Sequence, residues 1–204
     1  MKTLRVIFNS QYAFWFLLAI PSWDLVADIW WDDLYYAEIM YLSGTWSVIF
    51  MIGALAMTPL MKLTGNWWPV FWLLKRRRAI GVASFGYAAL HTFFYIRQVG
   101  TLELVVLEAF DTVFWLGWLA FILLIVLAIT SNQTSVRKLG RHWKTLQRLA
   151  YAGLAFSFLH WLWIDQFIPE LIDWVAAIVV LQTIRLLFSI HKRKKDSSTN
   201  SLQR

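Results

Sequence analysis

Apolar residues fall in long runs along this chain, and polar residues collect in the short segments between the runs. Six runs of about 17 residues or more are mostly apolar, at roughly 7–23, 45–63, 79–96, 113–130, 147–164 and 172–190. A helix that crosses a membrane needs about 20 mostly apolar residues, whereas a surface helix of a soluble protein shows only an apolar stripe. The pattern therefore predicts an all-α fold, an integral membrane bundle of six transmembrane helices.

The first run follows a basic start and resembles a secretory signal peptide. No small-x-small cleavage site follows it, because the next residues are Ser22, Trp23 and Asp24. We therefore predict that this run is kept as the first span.

Composition agrees with a membrane protein and narrows its chemistry. Only 15% of the residues are charged and 59% are hydrophobic, whereas soluble domains carry about a quarter charged residues. The sequence contains no cysteine. Disulfides, thiolate-bound iron–sulfur clusters and the covalent attachment of a c-type haem are therefore excluded.

Charge is distributed unevenly among the segments between the runs. Lys and Arg cluster in KRRR (75–78), SVRKLGRHWKTLQR (135–148) and HKRKK (191–195). Acidic residues collect in the alternate segments, at Asp24, Asp28, Asp32, Asp33, Glu38, Glu103, Glu108, Asp111, Asp165, Glu170 and Asp173. Because Lys and Arg favour the cytoplasmic side of a membrane protein, both termini are predicted to be cytoplasmic. This topology explains the basic runs, and the net charge of +7, better than a nucleic-acid partner does.

The pattern divides the chain into three segments. Residues 1–43 hold the N-terminal helix and an acidic periplasmic loop, 44–190 form the main transmembrane domain, and 191–204 form a basic cytoplasmic tail. The tail is too short and too polar to fold by itself. No G-x-G-x-x-G motif follows a strand, and no soluble stretch is long enough for a nucleotide-binding domain. The chain therefore cannot take hydride from a nicotinamide unaided.

Two histidines lie inside the apolar runs at matching depth. His91 lies 13 residues after Arg78, and His160 lies 12 residues after Arg148. At about 1.5 Å per residue, each is roughly 18–20 Å from the cytoplasmic edge. Both belong to spans that run outward, so two parallel helices offer imidazoles at one depth. Axial ligation of a haem iron from two sides requires this arrangement.

Ser84 and Gly153 lie seven residues before His91 and His160 respectively. They share the helical faces of the two histidines, and their small side chains would leave room for a flat macrocycle. Other interpretations of the histidines stay open, namely a hydrogen bond between helices or a place in a proton path. Zinc is disfavoured, because no Cys or further His lies at that depth to complete a tetrahedral site.

Three sequence stretches carry a family resemblance. RRRAIGVASFGYAALH (76–91) resembles an R-R-x-x-G…Y-A-x-L-H pattern, and MTPL (57–60) is a smaller match. TSNQTSVRKLGRHWKTLQRLAYAGLAFSFLHWLW (130–163) resembles T-S…R-K-L-G-x-x-W-x-x-L-H-x-x-x-Y…H-x-L-W. Over roughly 44–190 the chain is similar to the MsrQ family, haem-binding membrane subunits of the bacterial periplasmic methionine-sulfoxide reductase system. That family belongs to the ferric-reductase-like transmembrane group.

The resemblance implies a six-helix cytochrome with haem b, multi-pass in the bacterial inner membrane and surrounded by its lipid. His91 and His160 match the haem-ligand positions of the family. Electrons would come from the quinone pool or from a flavin donor, such as a cytoplasmic flavin reductase with FMN. They would pass to a periplasmic molybdopterin reductase that repairs oxidised methionine. No acid–base or nucleophilic constellation is visible, so we expect an electron-transfer subunit rather than a complete enzyme.

One position departs from the family pattern. Gln147 stands where the pattern has a first histidine, and Arg77 and Arg78 occupy the corresponding positions of the third span. Glutamine is a poor haem ligand, so the sequence leaves the number of haems open. A quinone or flavin is the alternative occupant of that end, with Gln147, Arg77, Arg78 and Trp143 as its polar and stacking contacts.

Two other functions stay open on the sequence. The chain could reduce ferric or other metal chelates without a partner enzyme. It could also be a non-redox membrane protein, in which the histidines serve packing or proton transfer.

Overall fold

The computed structural model of the chain describes residues 10–23, 27, 36–65, 67–165 and 169–202. The helices are α1 (Gln11–Ala19), α2 (Tyr36–Leu63), α3 (Trp68–Val99), α4 (Leu102–Glu108), α5 (Thr112–Ile129), α6 (Gln133–Leu139), α7 (Arg141–Gln147), α8 (Leu149–Asp165) and α9 (Pro169–Leu202). Within these ranges no strand occurs, so the predicted all-α class is confirmed. Asp24, Asp28, Asp32 and Asp33 of the predicted acidic loop lie outside the described residues.

Polar and glycine residues mark several helix ends. The Ser10 hydroxyl accepts a hydrogen bond from the Ala13 N–H at 3.4 Å, and Asn132 Oδ1 accepts one from the Ser135 N–H at 2.8 Å. Both residues satisfy an N–H that the first helical turn leaves without a partner. The long apolar helices α2 and α3 are connected only by residues 64–67. Because so short a connection reverses the chain direction, the two helices run antiparallel. Gly100, at φ +83°, ends α3 in a conformation that disfavours other residues.

The main core lies where α2, α5, α8 and α9 meet. It is built from the buried side chains of Val48, Met51, Ile52, Leu55, Leu124, Leu154 and Ile178. A second cluster joins α1 to the α2–α3 pair through Phe14, Leu18, Ala54, Ile80 and Ala83. α3 packs along α2, and α8 packs along α5. The bundle therefore contains two helix pairs that meet across the core.

Two helices, α2 and α3, are long and apolar enough by composition to cross a membrane. α4 and α5 together give a third such stretch, bent by 102° between them. α8 has 17 residues and α1 has nine, so neither reaches the length of these spans. The six spans and the cytoplasmic placement of both termini stay predictions.

Helical structure extends further than the apolar runs indicated. Residues 135–148, expected as a polar loop, lie largely in the short helices α6 and α7. α9 continues past residue 190 to Leu202, so residues 191–202 are helical as an extension of α9. These polar segments contain no apolar run from which a helix could be predicted. The extension of α9 also needs no new nucleation step, because it adds residues to a helix that already exists.

Candidate functional site

A cavity of about 680 Å³ lies between α2, α3, α5 and α8, and both His91 and His160 line it. Most of its wall is apolar or aromatic, including Phe114, Trp118 and Phe121. The size and the lining are typical of pockets that hold a small-molecule cofactor, which run from about 300 to 1,000 Å³. The two histidines therefore face one shared space, although they belong to different helices.

Each imidazole is held by a backbone carbonyl of a neighbouring helix. His91 Nδ1 lies 2.8 Å from the Met40 carbonyl oxygen on α2, and His160 Nδ1 lies 2.8 Å from the Val113 carbonyl oxygen on α5. A carbonyl oxygen can only accept, so each Nδ1 carries the hydrogen and donates it. The lone pair of each neutral ring is therefore on Nε2, the tautomer that binds a metal through Nε2.

The two imidazole rings are close enough for one ligand in the cavity to contact both. Their centres lie 6.4 Å apart and their planes are at 89° to each other. No group of three or more His, Cys, Asp or Glu residues in the described part of the chain could hold a metal. A haem iron needs no more than two protein ligands, so the two histidines would suit haem.

Two glycines that sequence reasoning missed lie against the histidine rings. A Cβ atom added to Gly44 on α2 would lie 3.0 Å from His91 Nδ1. A Cβ atom added to Gly117 on α5 would lie 2.9 Å from His160 Cε1 and 3.0 Å from its Nε2. Either side chain would displace the ring. A signal was present, since a lone glycine inside an apolar helical run often marks a close approach.

Ser84 and Gly153 lie outside the cavity wall. Ser84 is fully buried between α2 and α3, where its hydroxyl donates to the Ser47 carbonyl at 2.8 Å and the Ser47 hydroxyl donates to the Ser84 carbonyl at 2.9 Å. Gly153 is buried opposite Leu123 and Met51. These residues let helices approach each other, and the room that we expected beside the histidines is provided at Gly44 and Gly117 instead.

Three of the four residues predicted near the cytoplasmic end converge around the end of α5. The Arg78 guanidinium lies 5.0 Å from the centre of the Trp143 ring. The Trp143 indole N–H donates to the Thr130 carbonyl at 2.9 Å, and Gln147 Nε2 donates to the Thr130 hydroxyl at 3.2 Å. Arg77 is separate from this group and donates to the Thr58 hydroxyl at 3.4 Å.

A second polar pair lies on the cavity wall itself. The Tyr95 hydroxyl donates to Glu108 Oε2 at 2.7 Å, and both residues line the cavity. The Tyr95 ring is 5.5 Å from the Phe114 ring and 6.4 Å from the Trp118 ring. Glu108 ends α4, the short helix that is bent away from α5. Sequence reasoning assigned Glu108 only to an acidic loop.

Comparison with known proteins adds a family to this geometry. Residues 43–158 match the family described as the ferric reductase like transmembrane component. The match includes His91 and ends two residues before His160. No solved structure matches the chain.

Three curated relatives carry the same name, protein-methionine-sulfoxide reductase heme-binding subunit MsrQ. The protein of Azospira oryzae is 30% identical over 185 residues, which cover 87% of this chain and 78% of that relative. The proteins of Brucella ovis and Brucella canis are each 38% identical over 125 residues, which cover 60% of this chain and 54% of each relative. The aligned part therefore spans about half the length of the Brucella proteins.

Proposed function

The chain belongs to the ferric-reductase-like transmembrane family, and within it to the MsrQ haem-binding subunits, and from that premise we propose that it is the membrane cytochrome of a methionine-sulfoxide reductase system. It carries electrons through the bacterial inner membrane in six spans, with both termini in the cytoplasm. Its acceptor is a periplasmic molybdopterin reductase that repairs oxidised methionine. It serves as an electron-transfer subunit of that complex.

One observation carries the proposal: His91 and His160 line the same cavity, and each is fixed by a carbonyl so that Nε2 is free to bind. These two residues would hold haem b, which supplies a reversible one-electron carrier when bound. The haem is of the b type because the sequence offers no cysteine for covalent attachment.

The residues around the histidines have defined tasks. The Met40 and Val113 carbonyls fix the tautomer and the ring orientation, and hydrogen bonding at Nδ1 makes Nε2 a stronger ligand. Gly44 and Gly117 allow α2 and α5 to approach the rings closely. Most of the wall is apolar or aromatic, and an apolar surrounding lowers the dielectric near a bound metal and so tunes its reduction potential.

The first test is a dithionite-reduced minus oxidised visible spectrum of the purified protein, with haem counted per chain. We expect a low-spin b-type spectrum with near one haem per chain, lost in His91→Ala and in His160→Ala. His142→Ala is the matched control, because His142 is exposed and distant from the cavity wall. If protein produced with ample haem binds none, the cytochrome function is excluded and the histidines serve packing or proton transfer.

Electrons enter at the cytoplasmic end, from a quinol or from a flavin reductase with FMN. The contacts among Arg78, Trp143 and Gln147 support this position, because a cation, an indole and an amide are grouped there. An indole can stack on a flat ring, and a guanidinium or an amide can bind the carbonyl oxygens of a quinone or a flavin. Arg77, bonded to Thr58, is a further contact on the neighbouring face of α3.

Stopped-flow reduction of the haem by a quinol and by reduced FMN tests this entry site. We expect the combined Arg78→Gln and Gln147→Ala variant to be reduced more slowly by at least one donor, while dithionite reduces it as fast as the wild type. Arg137→Gln, in the basic helix α6, is the control for lost positive charge. Unchanged rates with every donor would contradict the placement.

A second function is favoured by the family description, which names a ferric reductase. In that case the pre-reduced protein alone would reduce ferric chelates at the outer face. Mixing experiments separate the two functions. Rapid haem oxidation by a ferric chelate without any partner supports the second, and oxidation only by the molybdopterin enzyme supports the first.

A further inference from the structure

The wall of the histidine cavity contains one carboxylate, Glu108, among the described residues that line it. No Lys or Arg of the described chain lines the same wall. The carboxylate accepts the Tyr95 hydroxyl at 2.7 Å. Such a short bond from a neutral donor stabilises the negative charge without cancelling it. The cavity that contains both histidines therefore also contains an uncompensated acidic group.

The position of Glu108 is fixed from both sides. On its own helix, Val105 is buried, and the Thr101 hydroxyl accepts a hydrogen bond from the Leu104 N–H. These two contacts anchor the short helix α4. On α3, the Tyr95 ring packs against Phe114 and Trp118. These contacts hold the Glu108 carboxylate at the wall of the cavity. Its charge is felt more strongly there than in bulk water, because the wall is largely apolar.

We propose that Glu108, positioned by Tyr95, is a potential-setting residue of this cytochrome, and that its negative charge favours the oxidised over the reduced state of the haem. The inference rests on the proposed function, because it concerns the iron that His91 and His160 would hold. Reduction adds one electron to the cavity, and a nearby negative charge makes that addition less favourable. A carrier with a lowered potential is a stronger electron donor to an acceptor outside the membrane.

Glu108 is the one acidic group among the described residues of the wall, so a change of potential on its neutralisation can be assigned to it. Other titratable groups on the wall are Tyr41 on α2, His91 and Tyr95 on α3, and His160 on α8; the described wall residues of α5 contribute none. Exposed charged groups nearby lie outside the wall, at Arg97, Glu103 and Asp111.

Spectropotentiometric titration of the purified haem-loaded protein at neutral pH tests the proposal. We expect Glu108→Gln to raise the equilibrium constant for haem reduction about tenfold. Tyr95→Phe keeps the carboxylate but releases it, so we expect a smaller rise.

Two controls match the chemistry of the changes. Glu103→Gln removes a carboxylate from the same helix, at an exposed position outside the cavity. Tyr36→Phe removes a hydroxyl at the outer end of α2. Neither is expected to move the potential. A structural role for Glu108 alone would alter haem content or thermal stability and leave the potential of the loaded fraction unchanged.

An unchanged potential in Glu108→Gln, with wild-type haem content and spectrum, would overturn this inference and leave the proposed function intact. If that variant loses its haem, Tyr95→Phe decides, because an unchanged potential in that variant contradicts the role of a carboxylate positioned by Tyr95. If the wild-type protein itself binds no haem, both the proposed function and the inference fail.

Discussion

The two imidazoles are the clearest case in which single residues define the chemistry. Each donates Nδ1–H to a carbonyl at 2.8 Å, and each has a glycine against its ring. Matching depth in the sequence was enough to place His91 and His160 on one level. The Met40 and Val113 partners were not predictable, because they lie 51 and 47 residues away and contribute only backbone atoms, which carry no signal in residue type.

Gly117→Ala tests the close approach of α5 to His160. The new Cβ would lie 2.9 Å from Cε1, so the ring must move and its Nε2 leaves the ligating position. We expect haem affinity to fall by about tenfold or more, the loss typical when the support of a metal ligand is disturbed. Haem per chain after purification, and the retained spectrum, measure the effect.

Gly86→Ala is the control for a glycine in a helix, since a Cβ there meets nothing within 4 Å. It removes a flexible residue from α3, so a gain of about 0.5–1 kcal/mol in helix stability is expected, with no loss of haem. Equal haem content in the two variants would mean that the space at Gly117 is not needed for binding.

At the scale of elements, long apolar runs predicted the helices that form the core, and short polar helices were missed. α2 and α3 correspond to runs two and three; α2 begins earlier than its run, and α3 extends beyond its run at both ends. α6 and α7 lie in a basic segment whose composition gave no apolar run. The bend of 102° between α4 and α5 also lay beyond reach, because a continuous count of apolar residues does not reveal a change of direction.

Ser84 provides a test of how α2 and α3 are joined. Ser84→Ala removes one hydrogen bond between helices, worth about 0.6 kcal/mol on average in a membrane bundle. Ser84→Leu also forces a large side chain into a fully buried interface, which typically costs about 1–3 kcal/mol. We expect the thermal unfolding temperature to fall slightly in the first variant and strongly in the second.

Comparison of Ser84→Ala with Ser84→Leu separates the contribution of the hydrogen bond from that of close packing between α2 and α3. Similar unfolding temperatures for the Ala and Leu variants would show that the interface is loose. Haem content serves as the second measurement, because Ser84 lies outside the cavity wall and Ser84→Ala should bind haem as the wild type does.

For the whole molecule, the alternation of basic and acidic segments predicts the orientation. The described bundle supplies two helices, or three with the bent pair, that are long and apolar enough to cross a membrane. Among the remaining runs, the first lies largely in α1, with nine residues, the fifth in α8, with 17, and the sixth in α9, with 34. Helix length alone therefore does not fix the number of spans, and the topology prediction rests on the distribution of Lys and Arg among the connecting segments.

Reporter fusions test that topology directly. We expect a fluorescent protein joined after Leu202 to be bright and alkaline phosphatase at the same place to be inactive, as for a cytoplasmic C-terminus. Phosphatase inserted after Gly100, between α3 and α4, should be active. The reverse pattern at both sites would invert the orientation, and active phosphatase at both would change the number of spans.

The carbonyl contacts of the histidines have a consequence for assembly. His91 on α3 is tied to α2, and His160 on α8 is tied to α5. Each half of the ligand set is therefore completed within a pair of helices that are close in sequence, α2 with α3 and α5 with α8. The α2–α3 pair precedes the α5–α8 pair along the chain, so the first ligand can be oriented before the second pair is complete. A haem held by both histidines would therefore join two helix pairs that are each already ordered, and we expect haem binding to be the last step in the assembly of the bundle.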